Sequence, residues 1–199
     1  MRVSCTDSDI KVIIKKIKDG GIIVFPTDTV YGIGCDPYNK KAVLRLYEIK
    51  KRERSKMFPV LGLSKTELEK IAEFNTLEEK IAEKFWPGQV TLILKVKDEK
   101  IRQSLCLDKK IAVRVPNNQC VLSFLKECKL LVGTSANISG TAPFTDPDEC
   151  SKNLIGYDLL VDGGIIPSQS ESTIVEIIDD SIKILREGNV SEKEIRGLN

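Results

Sequence analysis

The sequence predicts an α/β or α+β domain built on a mixed β-sheet. Segments with helical periodicity alternate with short apolar runs of strand type. Some predicted strands follow one another with no helix between them, which a purely doubly wound fold does not allow. No repeat, low-complexity tract or linker divides the chain, so residues 1–199 read as one domain, within the usual size of roughly 100–200 residues.

Each element has a local cause. Ile10, Ile13, Ile14 and Ile17 recur at helical spacing, and Gly20-Gly21 stop that helix. Ile22 to Phe25 is an unbroken apolar run, the pattern of a buried strand. Residues 40–50 read as a helix with Val43, Leu44 and Tyr47 on one face, and Val60 to Leu63 as a short strand. Ser64 to Glu67 and Thr76 to Glu79 have capping-box form and each opens a helix, the second ending at Trp86-Pro87-Gly88. Val90 to Val96 and Ile111 to Val115 are strands, Gln119 to Glu127 a helix, and Leu130 to Val132 a strand running into a polar loop over 133–145. Asp146 caps a short helix. Strands follow near 159–161, 173–178 and 182–185, and Ser191 caps a last helix.

Composition excludes several chemistries. The chain has no histidine, so a Ser-His-Asp triad, a Cys-His pair and a His-ligated metal are ruled out. None of the six cysteines has CxxC spacing, and Cys120 and Cys128 flank an apolar segment. They are expected to be reduced thiols used as small hydrophobes, a disulfide being the exception. No apolar run approaches the ~18 residues of a membrane span, and the first residues lack the apolar core of a signal peptide. A cytoplasmic location is expected.

Five segments carry donors and cations. The first, Pro26 to Gly34, places hydroxyls and glycines at the end of a strand, where a ligand can approach backbone. The second, residues 45–56, holds six basic and two acidic side chains, net +4 in a chain of net +2. It is either a solvated face at a helix C-terminus or a phosphate clamp. Third, Arg114 lies in the apolar run Ile111 to Pro116 and needs a fixed anion, from a ligand or from the protein. The fourth is Gly133 to Gly140, which continues to Thr145 and lacks the Lys of a Walker A loop. The fifth is Ser172 to Val175, with Arg186 and Gly188 after it. Their shared character suits positioning and charge neutralisation at phosphorus, with no evident base, nucleophile or metal cluster.

Taken in order, these segments resemble the threonylcarbamoyl-AMP synthase family, also called YrdC-like. The resemblance rests on Pro26-Thr27-x-Thr29-x-Tyr31-Gly32, Lys50-x-Arg52 with Lys56, and Trp86-Pro87-Gly88 with Thr91. It continues through Arg114-Val115-Pro116, Thr134 to Gly140, Ser172 to Val175 and Arg186-x-Gly188. It implies a single domain whose twisted mixed sheet, flanked by helices, carries a positively charged cavity. It also implies a nucleotidyltransferase, L-threonylcarbamoyladenylate synthase. Threonine and carbon dioxide from bicarbonate form a carbamate, which attacks the α-phosphorus of ATP and expels pyrophosphate. A tRNA threonylcarbamoyl-transferase then passes the group to adenosine at tRNA position 37.

The resemblance assigns Lys50, Arg52 and Lys56 to the ATP phosphates, with Lys50 and Arg52 as the catalytic cations. Asn137, Thr145 and Arg186 contact the nucleotide. Thr29, Tyr31, Arg114, Ser135 and Ser172 hold threonine, Arg114 on its carboxylate. Mg²⁺ arrives with ATP, held by phosphate oxygens and water rather than by a protein cage. Two departures are visible. Asn117-Asn118-Gln119 stand where many relatives place a histidine after Arg-Val-Pro, and the chain reads as the single-domain form without the C-terminal domain of longer members. The alternative is a double-stranded RNA or tRNA-binding module without catalysis. The low aromatic content, 6%, counts against base stacking. A carbamoyl-adenylate-forming domain of hydrogenase maturation is a nearer rival, but such domains sit in longer chains with zinc-finger-like cysteines.

Overall fold

Apolar runs too short to span a core alone pair across the chain into two mixed sheets. The structure, a computed structural model, describes residues 1–168 and 170–197. The order is β1 (Arg2–Ser4), α1 (Asp7–Lys18), β2 (Ile23–Phe25), β3 (Gly32–Gly34), α2 (Lys40–Lys50), β4 (Val60–Gly62), α3 (Lys65–Leu68), β5 (Ala72–Glu73), α4 (Thr76–Phe85) and β6 (Val90–Val96). Then come α5 (Glu99–Ser104), β7 (Lys110–Arg114), α6 (Gln119–Cys128), β8 (Leu130–Val132), β9 (Thr134–Ser135), α7 (Pro147–Asn153), β10 (Leu159–Asp162), β11 (Thr173–Ile178), β12 (Ser181–Arg186) and α8 (Glu192–Arg196).

One sheet runs β1-β10-β2-β3-β9 and the other β12-β11-β6-β7-β4-β8, with β5 paired to β6. Both mix parallel and antiparallel neighbours, as the adjacent strands in the sequence imply. The mixed α/β class holds. The strands divide between two sheets, which meet where β8 passes through Gly133 into β9. Close backbone approach makes this junction possible. A Cβ on Gly34 would lie 1.6 Å from the Val132 carbonyl oxygen, so only glycine fits there.

The apolar stripe of α1 buries Ile13 and Ile17 beside Phe124 and Leu125 of α6, against Ile23, Phe25 and Leu131. Burying each such side chain contributes about 1.5–3 kcal/mol. Phe25 meets Phe124 edge-on at 5.9 Å. A larger cluster fills the space between the sheets and α2, α4 and α5. The caps of α3, α7 and α8 are the expected Ser64, Asp146 and Ser191. At α4 the cap is Asn75, whose amide oxygen accepts from the Leu77 and Glu78 N–H groups while Glu78 returns to the Asn75 N–H. Thr76, the expected cap, is the first helical residue instead. The short strands β1, β3, β5 and β9 carry too few residues for their alternation to be read in advance.

The expectation of reduced thiols fails for Cys5 and Cys120. They form a disulfide with a Cα–Cα distance of 5.7 Å and a sequence separation of 115, tying the chain after β1 to α6. Cys35 and Cys150 are free and buried, as small hydrophobes. Because the bond closes a long loop of the unfolded chain, replacing both cysteines by serine is expected to cost about 2–4 kcal/mol. Urea unfolding of the double variant, with and without reductant, checks this. Equal stability of oxidised and reduced wild type would contradict it. No helix among the described residues is long and apolar enough to cross a membrane.

Candidate active site

Backbone pairing sets a row of side chains across the larger sheet. Arg186 of β12 is opposite Ile174 of β11, which is opposite Thr91 of β6. One step beyond the Leu92–Val113 pair, Thr91 faces Arg114 of β7, and Arg114 faces Leu61 of β4. All five line one cavity of about 340 Å³ beside the sheet junction. At roughly 4.8 Å per strand, the two arginines start about 14 Å apart. The volume lies in the range of small-molecule sites, roughly 300–1,000 Å³.

Arg114 is buried and its anion is a protein carboxylate. Its Nη2 donates to Asp28 Oδ1 at 2.6 Å, Nη1 to Thr29 Oγ1 at 3.3 Å, and Nε to the Gly88 carbonyl at 2.7 Å. Asp28 Oδ2 is buried and has no hydrogen-bond partner among the described residues. Burial lowers the Arg114 pKa, Asp28 opposes that shift, and the Arg186 charge adds to it. At the other end of the row, Arg186 donates through Nε and Nη2 to the Ser172 carbonyl and pairs with Glu171 at 2.7 Å. The Ser172 and Thr91 hydroxyls lie 2.8 Å apart and bridge the middle of the row. Gly188 allows this corner to close, since a Cβ there would lie 2.1 Å from the Glu171 carbonyl oxygen.

The basic run splits into different roles. Lys51 ends α2 in a left-handed conformation, which turns the chain into the 52–59 loop. Arg52 and Lys56 reach the cavity wall. Arg52 curls the loop by donating to the Lys56 and Met57 carbonyls, and it stacks over Phe58 at 5.4 Å. Lys56 is exposed and loosely paired with Glu53. Lys50 is buried, and its ammonium donates to the Ser135 and Asn137 carbonyls and to Asn137 Oδ1. Burial, and then the Arg52 charge, push it down to about 7.

Thr29, Tyr31, Ser135 and Ser172 reach the wall with Arg114 and Arg186. The Tyr31 hydroxyl, however, donates to the Gly164 carbonyl and accepts from the Gly163 N–H, which pins the loop after β10. Lys50, Asn137 and Thr145 are not among the side chains on the cavity wall. The reason is packing: Lys50 and Asn137 satisfy each other and the 135–141 corner, with Asn137 Nδ2 on the Thr141 carbonyl at 2.5 Å. The Thr145 carbonyl takes the Ile166 N–H. Asp28 and Glu171 were not expected. Asp28 directly precedes the predicted site residue Thr29 and Glu171 directly precedes Ser172, so a search for counter-charges near the arginines would have found both.

Residues 15–188 match the Sua5/YciO/YrdC family model, described as telomere recombination. The chain belongs to this family. A putative threonylcarbamoyl-AMP synthase of Methanocaldococcus jannaschii is 40% identical over 87% of this chain and 83% of its own length. Pyrococcus abyssi Sua5 complexed with L-threonine superposes with a TM-score of 0.90 at 28% identity, over 100% of this chain and 59% of that one. Escherichia coli YciO superposes with a TM-score of 0.88 at 27% identity, over 96% of this chain and 94% of its own. The chain thus has the length of the YciO type and spans about three fifths of the Pyrococcus protein.

Proposed function

We propose that this family member makes threonylcarbamoyl-AMP and pyrophosphate from L-threonine, bicarbonate and ATP, for N6-threonylcarbamoyladenosine at tRNA position 37. The observation that carries the reading is the cavity wall: Arg52, Lys56, Arg114 and Arg186 converge on one space floored by apolar sheet residues. Preformed cations aimed at the reacting group stabilise charge that develops during attack at phosphorus. Arg114 and Thr29 suit the threonine carboxylate, with Ser135 and Ser172 nearby. Arg52, Lys56 and Arg186 suit the nucleotide phosphates. Lys50 and Asn137 act on the ligand through the corner they hold.

Mg²⁺ would enter with ATP. Among the described residues Glu171 is the one carboxylate on the wall, a donor set that fits an ion carried by phosphate oxygens. Bound there, the ion would neutralise phosphate charge. The product would then be consumed by a tRNA threonylcarbamoyl-transferase.

Incubation with isotope-labelled bicarbonate, threonine and ATP tests the proposal. Label is expected in an adenylate whose formation requires all three and releases pyrophosphate. An RNA-binding module would incorporate none. Arg52→Ala is expected to lower product formation at least about tenfold, the scale of one lost charge-assisted bond. A folded variant with wild-type turnover would take Arg52 out of the phosphate site and leave it a structural residue of the 52–59 loop.

A further inference from the structure

We propose that Glu171 is a built-in competitor for the phosphate-bearing ligand, its carboxylate holding the place beside Arg186 that a phosphate takes on binding. The proposal rests on the reading of the cavity as an ATP site. Both arginines of the row already have a carboxylate, so an anion that takes the place of either carboxylate enters by exchange. The two pairs differ in how readily they exchange. Arg114 and Asp28 are 7% and 10% exposed, and a stripped Asp28 would be left buried. Arg186 and Glu171 are 36% and 31% exposed, so a displaced Glu171 carboxylate can be rehydrated.

The backbone around Glu171 is arranged for a side chain that moves while its frame stays. The Glu171 carbonyl accepts from the Asn189 N–H, and the 171–173 backbone packs against Gly188. The Arg186 Nε and Nη2 donate to the Ser172 carbonyl, and Nη1 alone holds Glu171. Turning Glu171 away therefore frees one arm of a guanidinium that keeps its position. It also removes a negative charge whose field reaches Arg52 and Lys50.

The consequence is a charge threshold. A singly charged anion gains little by replacing a tethered carboxylate. A polyphosphate that meets Arg186, Arg52 and Lys56 together gains several contacts for the loss of one. Glu171 thus sets a threshold of affinity, which a polyphosphate passes through its several contacts.

Calorimetric titration of the full chain with inorganic pyrophosphate and with orthophosphate, in EDTA, tests this in wild type, Glu171→Gln, Glu171→Ala and Arg186→Gln. Both Glu171 variants are expected to bind pyrophosphate up to about fivefold more tightly, the scale of one partly exposed ion pair. Orthophosphate that binds at Arg186 should tighten by a similar factor. Arg186→Gln should weaken pyrophosphate binding. If Arg186→Gln weakens binding but neither folded Glu171 variant tightens it, the competitor role is overturned and the phosphate site stands. If Arg186→Gln leaves pyrophosphate binding unchanged, the reading of the site falls and the proposal falls with it.

Discussion

Arg114→Leu is expected to destabilise the protein by about 3–5 kcal/mol, the cost of breaking a buried ion pair from one side. Leucine fills much of the space, so the loss is electrostatic more than a cavity effect. It leaves Asp28 buried with neither oxygen paired, because Oδ2 already lacks a donor among the described residues. The Gly88 carbonyl and the Thr29 hydroxyl lose a donor too. Adding Asp28→Asn removes the stranded charge, and the double variant should recover a large part of the loss. Urea unfolding of the two single variants and the double variant measures this coupling. The double variant also separates structure from binding. If Arg114 holds the threonine carboxylate as well, the stabilised double variant should bind threonine at least about tenfold more weakly, the scale of a charge-assisted bond. Unchanged threonine affinity would leave Arg114 a structural residue only.

Lys50→Met is expected to lower turnover at least about 100-fold while leaving a folded protein, because small misplacement of positioning groups costs rate on that scale. The ammonium holds the Ser135 and Asn137 carbonyls and the Asn137 side chain, which in turn accepts from the Ser135 hydroxyl at 2.8 Å. Without it the corner loses the donor that orders it next to the cavity. Stability carries a second signature. Lys50 is pushed from its ordinary value of 10.5 down to about 7 by burial, with Arg52 adding to the shift. Between those values the unfolded chain holds a proton that the folded chain has released, so folding stability contributed by this group rises with pH across that window. Below about 7 both states are protonated and the penalty is constant. Urea unfolding between pH 7 and 10 should show the rise in wild type and a smaller slope in Lys50→Met. A folded variant with near-wild-type turnover would show that the corner keeps its geometry without the lysine.

Most of the fold was legible because its elements carry strong local signals. The isoleucines of α1, the unbroken apolar runs of β2, β6 and β8, and the caps Ser64, Asp146 and Ser191 depend only on near neighbours. The misses have physical causes. At α4 two adjacent residues, Asn75 and Thr76, can both cap, and only the position of Glu78 decides between them. The strand β9 is a two-residue element that exists only because Gly32 and Ile33 lie beside it. Cys5 and Cys120 are far apart in sequence, and nothing local indicates that α6 brings one to the other.

The candidate site divides along the same line. The sequence by itself determined which chemistry was available: arginines, lysines and hydroxyls in motif order, without histidine, and enough to indicate the family. Only the tertiary structure decided which groups face the cavity and which are spent inside the protein. Tyr31 and Lys50 belong to matched motifs, yet their polar atoms serve a loop and a corner. Asp28 and Glu171 had no place in the expected site, yet each holds one of its arginines. Hydrogen bonds and ion pairs across 15 to 133 positions of sequence set these assignments. A buried polar group takes whichever partner folding brings within about 3 Å, and that partner is set by strand register and sheet junction rather than by its neighbours in the chain.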